Sequence, residues 1–299
     1  MTIGLLLGLV AAICWGSTDV TAAYAGRRLG SVRVAAIVQL TSLVAIVLLV
    51  VVRGSRLPPE AGDTALAMVA GAIAALAYVT FFTALRIGPV SVVSPVVAAY
   101  GGVTVLLAVL LRGETLTPLQ ALGAVLVTGG VILTGLVADG GWRSTRLVGP
   151  GVLFATVAML CFAALTIGLA GPIRHAGWLP VLFASRVANA ATVWAVLTIV
   201  LVSRSPRVAP LLAGRPDLPT SRAAAVRAAV LGGLLDIAGF VAFAVGLEAA
   251  PTWIVGLASS FGPVVSVFVA VAIWRERLRP NQWLGLVGLG AGLVAVALP

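Results

Sequence analysis

One carboxylate lies in the middle of a long apolar stretch. Asp236 stands between Leu231 and Phe240, where every other residue is apolar or glycine. A charge at the centre of a membrane helix costs about 2.5 to 3.5 kcal/mol on insertion scales, and such residues mark substrate or ion pathways. Asp236 is therefore predicted to bind a cationic substrate group or to carry a coupling proton. The alternative is a structural ion pair with Arg186, which lies about 6 Å of helical rise from the middle of its own apolar segment.

A second carboxylate, Asp19, follows Trp15 by one helical turn in the first apolar segment. It lies about 9 Å of helical rise from the centre of that segment. One interpretation places Asp19 at the wet mouth of a cavity. The other makes it an interfacial residue beside Arg27 or Arg28. The sequence favours neither.

The sequence argues against catalysis. Its only histidine, His175, is expected in a loop, which excludes a zinc site of the HExxH kind. Cys14 and Cys161 lie deep in apolar segments and are too few to hold a metal. No Walker-type glycine loop is present, so ATP hydrolysis within this chain is not expected. We predict no catalytic residue, no metal and no cofactor.

The elements that must position these side chains are membrane helices. Of the 299 residues, 61% are hydrophobic and 9% charged, too few charges for a water-facing surface. Because a span needs about 20 mainly apolar residues, the sequence predicts ten spans. They are Ile3 to Ala23, Val34 to Val52, Thr64 to Leu85, Pro89 to Leu111, Pro118 to Leu136, Val148 to Ile173, Trp178 to Val202, Val226 to Gly246, Pro251 to Ile273 and Gln282 to Leu298.

The chain contains a long internal repeat. Residues Pro89 to Gly130 recur as Pro251 to Gly292, and the match is densest where Glu114 to Gly123 aligns with Glu276 to Gly285. The predicted halves are residues 1–137 and 148–299, with five spans each. Since five is odd, the second half must enter the membrane from the opposite side, which predicts inverted repeats. The fold class is thus an all-α integral membrane protein with ten transmembrane helices in two inverted five-helix repeats.

The net charge of +10 comes entirely from arginine. Most arginines lie in or beside predicted loops, so we expect a lipid bilayer and no nucleic acid as the partner. They are more frequent in the loops after odd-numbered spans, which indicates that these loops are cytoplasmic and both termini external. Glu114, Glu248 and Glu276 lie at predicted helix ends, where caps or loop salt bridges are expected.

The chain resembles the EamA family of the drug/metabolite transporter superfamily. The resemblance is carried by the two Glu-x-Leu-x-Pro-x-Gln-x-Leu-Gly turns, by Cys14 to Ser17 (Cys-Trp-Gly-Ser), and by the five-plus-five organisation. It implies a secondary transporter, in bacteria mostly an exporter of amino acids and other small metabolites, with a cavity lined by spans 1, 3, 4, 6, 8 and 9. Members commonly carry an arginine in spans 2 and 7; here span 7 has Arg186, and the aligned position in span 2 is Gln39.

Several aromatic residues lie on spans that the resemblance assigns to the cavity. They are Trp15, Tyr78, Tyr100, Phe240 and Trp253. Such rings could stack on an amphipathic or aromatic substrate or bind a cation; lipid-facing or packing roles are the alternative. Pro95 and Pro263 are expected to interrupt spans 4 and 9 and to allow hinging.

These observations predict a multi-pass transporter of the inner membrane, working by alternating access and exporting a small metabolite. A multidrug or quaternary-cation/proton antiporter is the alternative, with Asp236 as the shared proton and drug site. Proton coupling and either a monomer or a homodimer are compatible with the sequence.

Overall fold

The computed structural model describes residues 2–55, 60–87, 93, 96–135, 150–203, 221–262, 264–265 and 280–298. Within these ranges the chain is helical and contains no strand. The helices are α1 (Thr2–Leu29), α2 (Ser31–Arg53), α3 (Ala61–Ile87), α4 (Tyr100–Arg112), α5 (Pro118–Gly135), α6 (Pro150–Ala176), α7 (Trp178–Ser203), α8 (Arg222–Ala249), α9 (Thr252–Ser259) and α10 (Pro280–Ala297).

Seven of these helices are long and apolar enough to cross a membrane: α1, α2, α3, α6, α7, α8 and α10. The stretches Val96–Arg112 and Pro118–Leu133 are apolar but shorter. The predicted spans 89–111 and 251–273 both include residues outside the described ranges. An all-helical membrane protein is therefore confirmed, and the count of ten spans stays a prediction.

Glycines with positive φ set several helix ends. Gly54 and Gly113 adopt left-handed conformations directly after α2 and α4, with φ of 60° and 65°. In that conformation the backbone turns away from the helix axis, and glycine adopts it without steric cost. The helix α6 continues past the predicted end at Ile173 and ends at Ala176, directly before Gly177, whose φ is 85°. The expected loop position of His175 was therefore wrong, because it lies in the last turn of α6.

Helices from the two halves of the sequence interleave. Each of the first three helices packs on helices of the second half. Helix α1 packs on α8 and α9, and α3 packs on α6 and α7. Helix α2 lies against both α7 and α8. Two glycines permit the closest of these approaches: a methyl group on Gly233 would lie 2.7 Å from the Val38 carbonyl oxygen, and one on Gly71 would overlap the Ser185 carbonyl. The core around Asp236 is thus built from both halves.

Helices α5 and α10 form a separate pair. A methyl group added to Gly130 would lie 2.7 Å from the Gly285 carbonyl oxygen, and one added to Gly123 would lie 2.9 Å from the Gly292 carbonyl oxygen. In lipid, such small residues allow close backbone packing where no hydrophobic drive exists between helices. Large apolar side chains such as Leu284 and Val287 remain exposed on the outer surface of this pair.

Both short helices are adjacent to turns at repeat-equivalent positions. A turn at Ala99, whose backbone stays in the right-handed helical region (φ −62°, ψ −8°), precedes α4, and a turn at Ser260 and Phe261 ends α9. At that second turn the amide groups of Ser260 and Phe261 bond to carbonyls three residues earlier. The predicted interruptions at Pro95 and Pro263 lie outside the described residues, so they stay predictions.

Candidate functional site

A fully buried polar cluster joins four helices. It consists of Gln39 on α2, Tyr78 on α3, Arg186 on α7 and Asp236 on α8. The Tyr78 hydroxyl donates a hydrogen bond to Asp236 Oδ1, with the two oxygens 2.5 Å apart. Arg186 Nη1 lies 3.4 Å from Asp236 Oδ2 and donates to Gln39 Oε1 at 3.3 Å. The structure thus contains the ion pair that the helical rise of Asp236 and Arg186 suggested, and no water or lipid reaches either side chain.

The face of the Arg186 guanidinium is covered by an aromatic ring. Its central carbon lies 3.8 Å from the centre of the Phe240 ring, a cation–π contact. Phe240 in turn meets Trp15 edge-on, with ring centres 4.8 Å apart. The Trp15 indole nitrogen donates to the backbone carbonyl of Asp236 at 3.4 Å. Trp15 and Phe240, both predicted site residues, therefore position the ion pair directly.

Phe162 completes an aromatic shell that we define as Trp15, Tyr78, Tyr100, Phe162 and Phe240. The Phe162 ring lies 5.6 Å from Tyr78 and 5.9 Å from Tyr100. The Tyr100 hydroxyl donates to Ser259 Oγ at 2.9 Å, which connects α4 to α9. Phe162 was missing from the predicted site, although the repeat pairs it with Trp15. That pairing was the available signal.

Aromatic contacts recur at equivalent positions of the two halves. Trp15 on α1 packs on Phe240 and Phe243 of α8. Phe162, its counterpart on α6, packs on Tyr78 and Phe81 of α3, which are 162 residues before Phe240 and Phe243. The repeated sequence therefore forms the same contact twice. Only the α8 copy includes an acid, since Ala74 stands where the second half has Asp236.

The remaining predicted site residues lie in different surroundings. Asp19 is half-buried on α1 and makes no hydrogen bond or ion pair within the described part of the chain, so neither of its two interpretations is decided by a contact there. Trp253 is buried in α9 and is packed rather than lipid-facing. Cys14 and Cys161 are half-buried free thiols.

Several buried polar atoms beside the cluster have no hydrogen-bond partner in the described chain. They are Gln39 Nε2, Ser42 Oγ, Ser185 Oγ, Arg186 Nε, Arg186 Nη2, Asn189 Nδ2 and Asn189 Oδ1. The Ser42 hydroxyl lies near the Asp236 carboxylate without meeting hydrogen-bond geometry. An unpaired buried polar group costs about 1 to 3 kcal/mol, so these atoms are candidates for contact with a bound ligand. Ser42 and Asn189 were missed because isolated polar residues in apolar segments resemble packing residues.

A groove of about 540 Å³ lies beside this cluster, not at it. It is open and apolar, and it is lined by Leu7 of α1, Ala45 and Leu49 of α2, and Ile237 and Val241 of α8. Because the cluster itself is enclosed, the described conformation gives a polar substrate no open route to Asp236. Access requires helix movement.

Glu114 fixes the start of α9 from a distant loop. Its Oε1 and Oε2 accept hydrogen bonds from the amides of Thr252 and Trp253, both at 3.1 Å. Arg174 lies 3.3 Å from Glu114 Oε1 and donates to the carbonyls of Leu247 and Ala250 near the end of α8. The predicted capping role of Glu114 is therefore observed, with a partner helix that the sequence did not identify.

The Glu114 contacts predict a pH-dependent stability. Partial burial alone would raise the pKa of Glu114, but the hydrogen bonds from Thr252 and Trp253 and the charge of Arg174 outweigh it and lower the pKa. A group whose pKa is lowered by folding stabilises the protein at a pH above its unfolded-state pKa. This stabilisation is lost as the pH falls through the folded-state pKa. We expect Glu114→Gln to lower the thermal unfolding midpoint at pH 7, with the difference from wild type shrinking below about pH 4. A difference independent of pH would contradict this assignment.

Another polar contact links α3 to α6. His175 Nδ1 lies 2.7 Å from Asp63 Oδ2, and His175 Nε2 lies 3.7 Å from Glu60 Oε1. The pairing was not predicted because these residues are more than a hundred positions apart in the sequence. It lies at the helix ends, away from the polar cluster.

Comparisons with known proteins extend this description. The sequence matches the model of the EamA-like transporter family over residues 2–136 and 149–298. None of the curated proteins matches it. A solved crystal structure of another protein has a TM-score of 0.77 and is 18% identical, covering 98% of this chain and 96% of that chain. At that identity the similarity shows the fold alone.

Proposed function

The chain belongs to the EamA-like transporter family, and we propose that it exports a small organic metabolite by alternating access. The family and the apolar helices make it a multi-pass membrane protein and a transporter of the drug/metabolite transporter superfamily. The substrate class, the direction, the inner-membrane location and the mechanism are our proposals. An amino acid or a compound of similar size is the proposed substrate.

The polar cluster is the observation that carries the mechanism. Gln39 and Tyr78 belong to the first half of the chain, whereas Arg186 and Asp236 belong to the second. In duplicated transporters, substrate and coupling ions bind near the midplane at the interface of the repeats. A movement of one half against the other would therefore change the contacts of Asp236 and open it to one side.

The duplicated contacts support two alternative packings. We propose that residues 1–137 and 148–299 are inverted repeats. The contact of Trp15 with α8 and the contact of Phe162 with α3 are then equivalent. If each half repeats the same contact in opposite orientation, loosening one contact opens one side and loosening the other opens the opposite side. The arginine distribution supports cytoplasmic loops after the odd-numbered spans.

Coupling is assigned to the two membrane carboxylates. Asp236 is held by Tyr78 and Arg186, so a proton on Asp236 would weaken its attraction to Arg186. Asp19 is the second carboxylate within a predicted span, one helical turn from Trp15 on α1. Proton movement through these carboxylates is the proposed energy source.

The first test identifies the exported compound. Extracellular metabolites would be compared between cells overproducing the protein and cells carrying an empty vector, at matched growth. We expect at least a several-fold enrichment of one small compound or one chemical class. Equal profiles, with the protein present in the membrane, would exclude export of a native metabolite.

Asp19 favours a second candidate function. A half-buried carboxylate without a hydrogen-bonding partner in the described chain, close to Trp15 and Tyr100, suits a quaternary cation that is exchanged for a proton. This function predicts resistance to lipophilic cationic dyes on overproduction, and loss of that resistance in Asp19→Asn. Dye sensitivity equal to that of the empty vector would exclude it.

A further inference from the structure

We propose that the free edge of the Arg186 guanidinium, together with Asn189, binds the carboxylate of the transported compound. This inference rests on the proposed transport function and specifies the acidic group of its substrate. Arg186 uses only Nη1 for Asp236 and Gln39. Its Nε and Nη2 atoms have no partner in the described chain, although the side chain is 1% exposed.

The Nε and Nη2 atoms form one of the two-pronged edges of a guanidinium. Two parallel N–H bonds from such an edge match the two oxygens of a carboxylate. Asn189 lies one helical turn along α7 from Arg186 and is fully buried, and neither of its amide atoms is paired in the described chain. Arg186 and Asn189 therefore carry unpaired, buried donors one helical turn apart on α7, which a carboxylate could pair with.

Donors predominate among the unpaired atoms. Arg186 offers Nε–H and Nη2–H₂, and Gln39 and Asn189 each offer an unpaired amide NH₂ group. A bound cation would find few acceptors there and would be repelled by the guanidinium. An oxygen-bearing anion satisfies the donors together.

Charge balance assigns a role to Asp236. A second carboxylate at Arg186 would share the guanidinium with Asp236, and two carboxylates on one cation repel each other. Uptake of one proton by Asp236 removes this repulsion, so an anion and a proton would bind together. The titratable or charged groups around Asp236 are Tyr78 on α3, Arg186 on α7 and Asp19 on α1.

The neighbouring aromatic shell would hold the rest of the molecule. Phe240 covers the guanidinium, and Trp15 packs on Phe240. Phe162 contacts Tyr78, which bonds to Asp236. A free inorganic anion would gain nothing from these rings, whereas a carboxylic acid with an apolar or aromatic body would bury against them.

The test measures binding of acetate to the full-length protein purified in detergent, as a saturable rise of the thermal unfolding midpoint at constant ionic strength between pH 6 and 8. Sodium chloride and methylammonium chloride are the comparison salts. Of the three salts, only acetate should raise the unfolding midpoint in a saturable way. We expect Asn189→Ala to bind acetate at least ten-fold more weakly than the wild type. Because Asn189 has no partner in the described chain, its replacement should leave folding intact. Thr198→Ala, at an exposed position of the same helix, is the matched control.

Two more variants separate the roles of the charges. Arg186→Lys keeps a positive charge for Asp236 but lacks the two-pronged edge, so acetate binding should be lost. Asp236→Asn removes the competing carboxylate, so acetate should bind more tightly and without proton uptake. The proposal would be overturned if acetate raised the unfolding midpoint no more than chloride does, or if Asn189→Ala bound acetate as tightly as the wild type.

Phenylacetate distinguishes a substrate carboxylate from a small resident anion. We expect phenylacetate to bind at least ten-fold more tightly than acetate, and Phe162→Ala to weaken phenylacetate binding alone. Equal binding of both acids that is insensitive to Phe162 would show a small anion site and overturn the substrate assignment. Export of a compound without a carboxylate would also overturn it while leaving the transport function standing.

Discussion

Asp236→Asn is expected to abolish export of the compound identified in the metabolite comparison, with at least a hundred-fold loss of rate, roughly 2.7 kcal/mol in activation free energy. Asparagine can still accept the hydrogen bond from Tyr78 but carries no charge for Arg186 and no exchangeable proton. Transport into or out of proteoliposomes containing matched amounts of protein would measure the loss. Asp63→Asn, which changes an acid near the helix ends, serves as the control and should transport normally.

The result needs a second variant, because Asp236→Asn also leaves a buried arginine without its counter-ion. Asp236→Asn combined with Arg186→Gln removes both charges and keeps hydrogen-bonding groups at both positions. We expect the double variant to fold and still to fail in transport, because it lacks both the proposed coupling carboxylate and the arginine that we propose binds the substrate. Recovered transport in the double variant would show that Asp236 serves only to neutralise Arg186.

Arg186→Leu is expected to lower the free energy of unfolding by about 3 to 5 kcal/mol, because it leaves Asp236 charged and buried without a counter-ion. It also removes the guanidinium from the Phe240 ring and from Gln39. Denaturation in detergent, followed by the helical circular dichroism signal, would measure the change.

A double variant again provides the control. Arg186→Leu with Asp236→Leu replaces the pair by apolar side chains, and replacing a buried pair by apolar groups is often neutral or stabilising. We expect it to recover most of the lost stability. An Arg186→Leu variant as stable as the wild type would show that Asp236 is already uncharged in the resting protein, and the ion pair would then be wrong.

The pairing of Asp236 with Arg186 shows how far sequence reasoning reached. Each residue was identified as an ionisable group near the centre of an apolar segment, and helical rise placed both at similar depth. Depth does not give rotation about the helix axis. Only the packing of α7 and α8 against α2 and α3 turns Arg186 and Asp236 towards each other and adds Tyr78 and Gln39.

The aromatic shell shows a different limit. Trp15, Tyr78, Tyr100 and Phe240 were predicted from the spans on which they lie, but Phe162 was not. Its repeat relation to Trp15 was visible in the sequence. Its importance depends on the approach of α6 to α3, which brings residues 84 positions apart into ring contact and which no local pattern encodes.

Composition and repetition alone determined that this chain is a duplicated helical membrane protein. Lipid requires apolar segments of fixed length, and a repeat whose copies lie 162 positions apart is readable without a structure. The tertiary structure decided which polar atoms meet. It joined Glu114 to the start of α9, left Asp19 without a hydrogen-bonding partner in the described chain, and buried the unpaired polar atoms of Arg186 and Asn189 on the same helix. The physical reason is that helix rotation and crossing are set by side-chain packing between distant segments, and hydrogen bonds inside the membrane follow from that packing.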